Sequence, residues 1–261
     1  MSTIANVILN KKAEGKKCLA VYLTAGYPNK ESFKKLLSAV IEAGADIIEL
    51  GIPFSDPLAD GTVIQQSSTK ALENGVTLND VFEYSSYIKK EHSVPVVLMG
   101  YANPVLRYGR EKFFAEATVA GADGIIIPDV PIDEYDNFYT QSINQDIILL
   151  TTPTSEEERI ESIDEKSSGF VYCVSVTGTT GTRNLNNEKI LSNLARTYKI
   201  VKKNPMMIGF GISTEKDLEV LAPYCDGYIV GSAVIKAIKE NGDFTEAVAL
   251  VNRLSQKANS W

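Results

Sequence analysis

Eight short apolar runs punctuate the chain, and longer amphipathic stretches separate them. The runs are "CLAVYLTAG", "DIIELGIPF", "PVVLMGYA", "GIIIPDVP", "DIILLTTP", "FVYCVSVTG", "MMIGFGIS" and "GYIVGSAV". Most are nearly continuous in apolar residues instead of alternating, the pattern of strands covered on both faces. The stretch "ESFKKLLSAVIEAG" places Phe33, Leu36, Leu37, Val40 and Ile41 at i, i+3, i+4 spacing. That predicts a helix, with Gly44 as its C-terminal stop. Strands alternating with helices predict a parallel sheet.

One pattern echoes along the chain. "AGADIIELGIP" at 43–53 returns as "AGADGIIIPDVP" at 120–131 and, more faintly, as "CDGYIVGSA" at 225–233. Each copy is a helix end, a tight turn and a strand start, so the repeating unit is supersecondary. About eight strands with helices between them in 261 residues match the size of a (β/α)8, or TIM, barrel. An open doubly wound sheet is the alternative. No Ser/Gly linker or break in composition divides the chain. The expectation is one α/β domain over residues 1–261, with a helix ahead of the barrel and extra helices in the βα loops.

Composition narrows the partners. A net charge of −7 disfavours nucleic acid and anionic membranes, and an anionic substrate would need donors supplied locally. Cys18, Cys173 and Cys225 are far apart and odd in number, which reads as buried thiols in a reducing compartment. The polar N-terminus does not look like a secretory signal, and no run reaches the length of a membrane span. A soluble, cytoplasmic protein is expected.

Barrel chemistry sits at the C-terminal ends of strands and in the loops that follow. The segment "DIIELGIPFSDPLADG", residues 46–61, ends a strand with one acid and follows it with two more. Glu49 shares a strand face with Ile47, and an inward Glu49 would face the barrel mouth. Burial there would favour its protonated form and poise it for acid–base work; the alternative is a carboxylate that ties down the next loop. Asp56 before Pro57 is a common turn opener. Asp60 precedes a helix and is either its N-cap or an acceptor for a substrate N–H or O–H.

Gly209 and Gly211 end the seventh predicted strand, and Gly231 and Ser232 end the eighth, each ahead of a helix. Glycine admits close backbone approach and helix starts offer free N–H groups, so these two loops are the expected phosphate site. "VTGTTGTRN", residues 176–184, is either a closing loop that brings Thr180 and Gly181 to a ligand or a plain surface loop. Tyr172 on the preceding strand would line a pocket or fill the barrel. The only histidine, His92, is expected on a surface turn, which leaves no basis for a histidine triad or a His-rich metal centre. No lysine ends a strand as Schiff-base chemistry would want.

The segments "ELGIPFSDPLADG", "LMGYANPV", "PDVP", "YCVSVTGTTGTRN", "GFGIS" and "VGSA" resemble, in order, those of tryptophan synthase alpha chains. The resemblance covers essentially the whole chain. It implies a (β/α)8 barrel that cleaves indole-3-glycerol phosphate to indole and glyceraldehyde 3-phosphate. It implies no cofactor for that step, and a pyridoxal-phosphate beta chain as partner in an alpha2beta2 complex. Glu49 would be the acid–base catalyst and Asp60 the acceptor of the indole N–H. Tyr172 and Tyr101 would line the substrate pocket, with Thr180, Gly181, Gly211, Gly231 and Ser232 toward the phosphate. Pro53, Asn103 and Asp129 would face the beta chain. A stand-alone lyase and a mainly regulatory partner remain as other readings. The chain departs from the family pattern at Tyr27, Thr62 and Val63; these are expected not to touch the proposed catalytic pair, but to bear on packing of the loop after strand two or on partner contact.

Overall fold

The computed structural model describes residues 2–139, 143–174, 187–209 and 211–261. Among the described residues nine parallel strands are formed: β1 Cys18–Thr24, β2 Ile47–Gly51, β3 Val96–Met99, β4 Gly124–Ile126, β5 Asp146–Ile147, β6 Leu150–Thr151, β7 Val171–Val174, β8 Met206–Gly209 and β9 Gly227–Val230. Their order is β5-β4-β3-β2-β1-β9-β8-β7-β6. The two outermost strands of that order, β5 and β6, are consecutive in the chain, so the sheet closes on itself and the barrel has eight staves. The open doubly wound alternative is thereby set aside.

The split corrects one detail of the sequence reading. The predicted fifth strand, "DIILLTTP", is two short ladders. Asp146–Ile147 pairs with β4, whereas Leu150–Thr151 pairs with β7. Between them the Ile148 N–H still donates to Ile125 (3.0 Å) and the Leu149 carbonyl accepts from Tyr172 (3.0 Å). The stave is continuous as chain, but its pairing changes side at mid-length.

The helix predicted from its apolar spacing is Lys30–Glu42, started by the Asn29 side chain accepting the Ser32 N–H. It buries Phe33, Leu36, Leu37 and Val40 and leaves Ile41 half-buried. Gly44 follows at φ +105°, where a Cβ would lie 2.2 Å from Ser255 Oγ. Conformation and space both demand glycine there. The expected N-terminal helix is Thr3–Ala13. Its Ile4 closes the barrel floor against Gly124, where a Cβ would come within 2.7 Å of Ile4 Cδ1.

The echo has a physical meaning at that floor. Asp46, Asp123 and Asp226 each begin a strand and donate their backbone N–H to the neighbouring strand: to the carbonyls of Leu19, Val96 and Met206, all at 2.8 Å. Each carboxylate then accepts the N–H of that same neighbour, at 2.9, 2.8 and 2.9 Å. Lys11, Lys89 and Lys12 respectively pair with the three carboxylates. The recurring aspartate therefore satisfies a donor at the start of the adjacent stave (the first in β3 and β8, the second in β1), which would otherwise be an orphan at the barrel floor. Such features at the N-terminal face serve stability and leave the other face for chemistry. Replacing Asp123 by Ala should cost about 1–2 kcal/mol, seen as a lower denaturant midpoint at unchanged slope.

Candidate active site

Glu49 is the central residue of β2, with register partners Tyr22 on β1 and Val97 on β3. Parallel register puts these side chains on one face, and that face is the barrel interior. The Glu49 side chain is 2% exposed, and its Oε1 has no hydrogen-bond partner among the described residues. Burial, and then the nearby Asp60 charge, push its pKa up to about 8. At neutral pH it is a protonated acid facing a cavity.

Asp60 reaches the same cavity from the loop after β2. That loop is pinned by Ser68, whose hydroxyl accepts the Phe54 N–H (2.7 Å) and donates to the Phe54 carbonyl (2.9 Å). Asp60 does not cap the following helix, Thr62–Glu73. The N-cap is Gly61, and no side chain bonds there. Instead the Tyr101 hydroxyl donates to Asp60 Oδ2 (3.0 Å) while accepting the Ala59 N–H (3.1 Å). Burial raises the Asp60 pKa to about 6, and the Tyr101 hydrogen bond restrains the rise. Two acids thus share a cavity in different ionisation states near pH 7, the arrangement that separates an acid role from an anion role.

The cavity measures about 230 Å³ and is lined by Glu49, Asp60, Tyr172, Gly211, Gly231 and Ser232, all singled out from the sequence. Tyr101 is not on its wall; it acts from behind Asp60. Thr180 and Gly181 lie outside the described residues. The structure adds Tyr22, Val63, Ile64, Met99 and Ile229 as apolar wall, and Lys236 at the rim. Tyr22 was legible in principle, since it is the residue of β1 that alternation and register place beside Glu49. Its hydroxyl and that of Tyr172 lie in notches left by glycine. A Cβ on Gly51 would sit 2.0 Å from the Tyr22 hydroxyl, and one on Gly209 would sit 2.1 Å from that of Tyr172. Val63, one of the departures from the family pattern, forms part of this wall, so that departure touches the site itself. Tyr27 is half-buried and is not part of that wall.

Two further placements differ from expectation. The helix after β8, Glu215–Leu221, does not offer all its initial donors to a ligand. The Ser213 and Thr214 N–H groups both donate to Asp217 Oδ2, at 2.9 and 2.8 Å, in a capping box. Pro53 is buried within the chain, whereas Asn103 and Asp129 are exposed. Asp129 also accepts the Ala102 N–H at 2.9 Å. Leu58 (89%), in the loop after β2, and Leu106 (56%), in the helix Ala102–Tyr108, are exposed apolar residues.

Elsewhere, Cys18, Cys173 and Cys225 are free and buried. His92 ends the Leu78–Glu91 helix half-buried, its Nε2 2.9 Å from Ser38 Oγ. Among the described residues no helix is long and apolar enough to cross a membrane, and no cluster of three or more His, Cys, Asp or Glu residues is suited to a metal.

The architecture and the site have counterparts in known proteins. A tryptophan synthase alpha chain from Petrotoga mobilis is 47% identical over 245 residues, covering 93% of each chain. One from Christiangramia forsetii is 43% identical over 240 residues, covering 91% of this chain and 94% of that one. Among solved structures, a chain of tryptophan synthase from M. tuberculosis in an aminoacrylate-bound form superposes with a TM-score of 0.88 at 32% identity. It covers 99% of this chain and 100% of its own. Tryptophan synthase subunit alpha from Legionella pneumophila gives 0.87 at 35% identity, with both chains fully covered. The family model for the tryptophan synthase alpha chain matches residues 8–260. A closed barrel with two acids at its mouth, matched in sequence and shape over nearly its full length, identifies this chain as a member of the tryptophan synthase alpha chain family.

Proposed function

We propose that the chain cleaves indole-3-glycerol phosphate to indole and glyceraldehyde 3-phosphate, the lyase step of tryptophan biosynthesis. The observation that carries this reading is Glu49, a buried acid with a raised pKa, set across one cavity from Asp60. Protonated Glu49 gives its proton to C3 of the indole ring. The ring nitrogen becomes cationic, and the Asp60 carboxylate, accepting the N–H, stabilises that charge. The bond from C3 to the glycerol carbon then breaks, and its electron pair returns to the ring system. The hydroxyl on that carbon becomes the aldehyde oxygen, and its proton passes to the Glu49 carboxylate. Glu49 ends as it began, and the step balances without a redox partner.

The apolar wall with Tyr22 and Tyr172 suits a flat aromatic ring, and Gly211, Gly231 and Ser232 stand at the phosphate end. In this reading the step uses no cofactor of its own, and pyridoxal phosphate belongs to the beta partner. Membership of the alpha chain family implies a beta chain, and an alpha2beta2 assembly is the form proposed. Asn103 and Asp129, with exposed Leu58 and Leu106, fit an interface; Pro53 would support that face from beneath. A cytoplasmic setting accords with three free thiols.

Indole release from indole-3-glycerol phosphate, with and without a beta chain, tests the reading. Slow release that rises strongly with the partner is expected. Fast release indifferent to the partner would remove the interface assignment. No release in either condition would leave a regulatory role and overturn the lyase.

A further inference from the structure

Lys236 is the only cationic residue among the described residues that line the cavity. It belongs to the short helix Ser232–Ala237 and follows Ser232 by four positions, so both rise from one helix face. It ends no strand, so no strand-end pattern in the sequence marks it.

The charge around this end of the cavity gives Lys236 a task. Asp217 spends its carboxylate on Ser213 and Thr214, and Ser213 lines the cavity. The N–H of this wall residue is thereby used within the chain, and a carboxylate stands beside the wall. Deeper in, Asp60 adds another negative group, and the whole chain carries −7. A phosphate dianion entering here meets repulsion that neutral backbone donors at Gly211, Gly231 and Ser232 do not cancel. Nearby Lys239 is held by Asp243 (3.1 Å) and Glu246 (3.4 Å). Among the described residues, no carboxylate forms an ion pair with Lys236.

We propose that Lys236 is a positioning residue for the substrate phosphate, its ammonium meeting the dianion at the cavity rim. The inference rests on the reading of the substrate as a phosphate ester. It assigns Lys236 charge, not imine chemistry: the side chain is exposed, whereas a Schiff-base lysine is activated by desolvation or a neighbouring cation.

The test compares parent, Lys236→Gln and Lys236→Arg in complex with a beta chain. Indole release is followed against substrate concentration at low and at physiological salt. Lys236→Gln should raise KM about tenfold with kcat within about twofold, and should flatten the rise of KM with salt. Lys236→Arg should recover most of the loss, because it keeps the charge and cannot form an imine. An unchanged KM and salt slope in Lys236→Gln would overturn the proposal, as would a fall in kcat with KM unmoved. A second measurement separates this from the cleavage reading: calorimetric binding of inorganic phosphate to parent and Lys236→Gln. If the parent releases no indole, the lyase reading falls, and phosphate binding still decides Lys236. Weaker phosphate binding in the variant supports its role; equal binding removes it.

Discussion

Replacing Glu49 by glutamine should lower kcat for indole release by about 10²–10⁴-fold, with KM little changed. Glutamine keeps the shape of the side chain and can still donate a hydrogen bond. It cannot deliver a proton to carbon or accept one from a hydroxyl, and both transfers fall on this one group. The same substitution has an opposite effect on stability, which separates lost chemistry from lost fold. Glu49 carries its proton up to about pH 8 when folded, against an ordinary value of 4.5. Between those limits the folded state binds more protons than the unfolded chain, so stability falls as pH rises through the window. The full interval corresponds to roughly 5 kcal/mol. Glu49→Gln should therefore melt above the parent at pH 8, and the difference should shrink toward pH 4.5. Parent-like indole release by the variant would remove Glu49 from the chemistry. A variant that melts lower at pH 8 would mean the loss comes from damage to the barrel.

The two halves of the site differed in how plainly the sequence wrote them. Glu49 was readable because an acid inside a run of Ile and Leu violates the logic of the run, and strand alternation says which way it points. Gly44 was readable as a helix stop for an equally local reason. The barrel itself followed from strands alternating with helices at the right count. What lay outside reach depended on contacts between distant segments. The Tyr101 hydroxyl holds Asp60 from 41 residues away. No local pattern distinguishes that use of Asp60 from the N-cap which its position before a helix suggested. The capping box of Asp217 was visible as Thr-x-x-Asp, but its effect on the phosphate end appears only once Ser213 is seen on the cavity wall. Lys236 lies inside a helix, away from any strand end, and only the fold brings that helix to the cavity. The split of the fifth stave is likewise a matter of which neighbours the barrel closure brings to each half.

Replacing Asp60 by asparagine should lower kcat/KM roughly ten- to hundredfold at neutral pH, less than the loss at Glu49. The amide oxygen still accepts an N–H but brings no charge to a cationic ring. The pH profile carries the sharper prediction. In the parent, activity needs Asp60 ionised and Glu49 protonated. It should rise through about pH 6 as Asp60 loses its proton and fall above about pH 8 as Glu49 loses its own. In Asp60→Asn the acid limb has no group left to report. The alkaline limb should also move to lower pH, because the Asp60 charge that helps hold the Glu49 proton is gone. The substrate phosphate titrates near pH 6 as well, and the variant distinguishes the two sources. An acid limb that persists in Asp60→Asn belongs to the phosphate, and Asp60 would then lose its place as the anion of the pair. An alkaline limb that stays fixed would mean the two carboxyl groups do not feel each other across the cavity. If the acid limb vanishes and the alkaline limb moves as described, the acid at the strand end and the acid in the loop after it work as one unit: the Asp60 charge helps hold the proton that Glu49 spends.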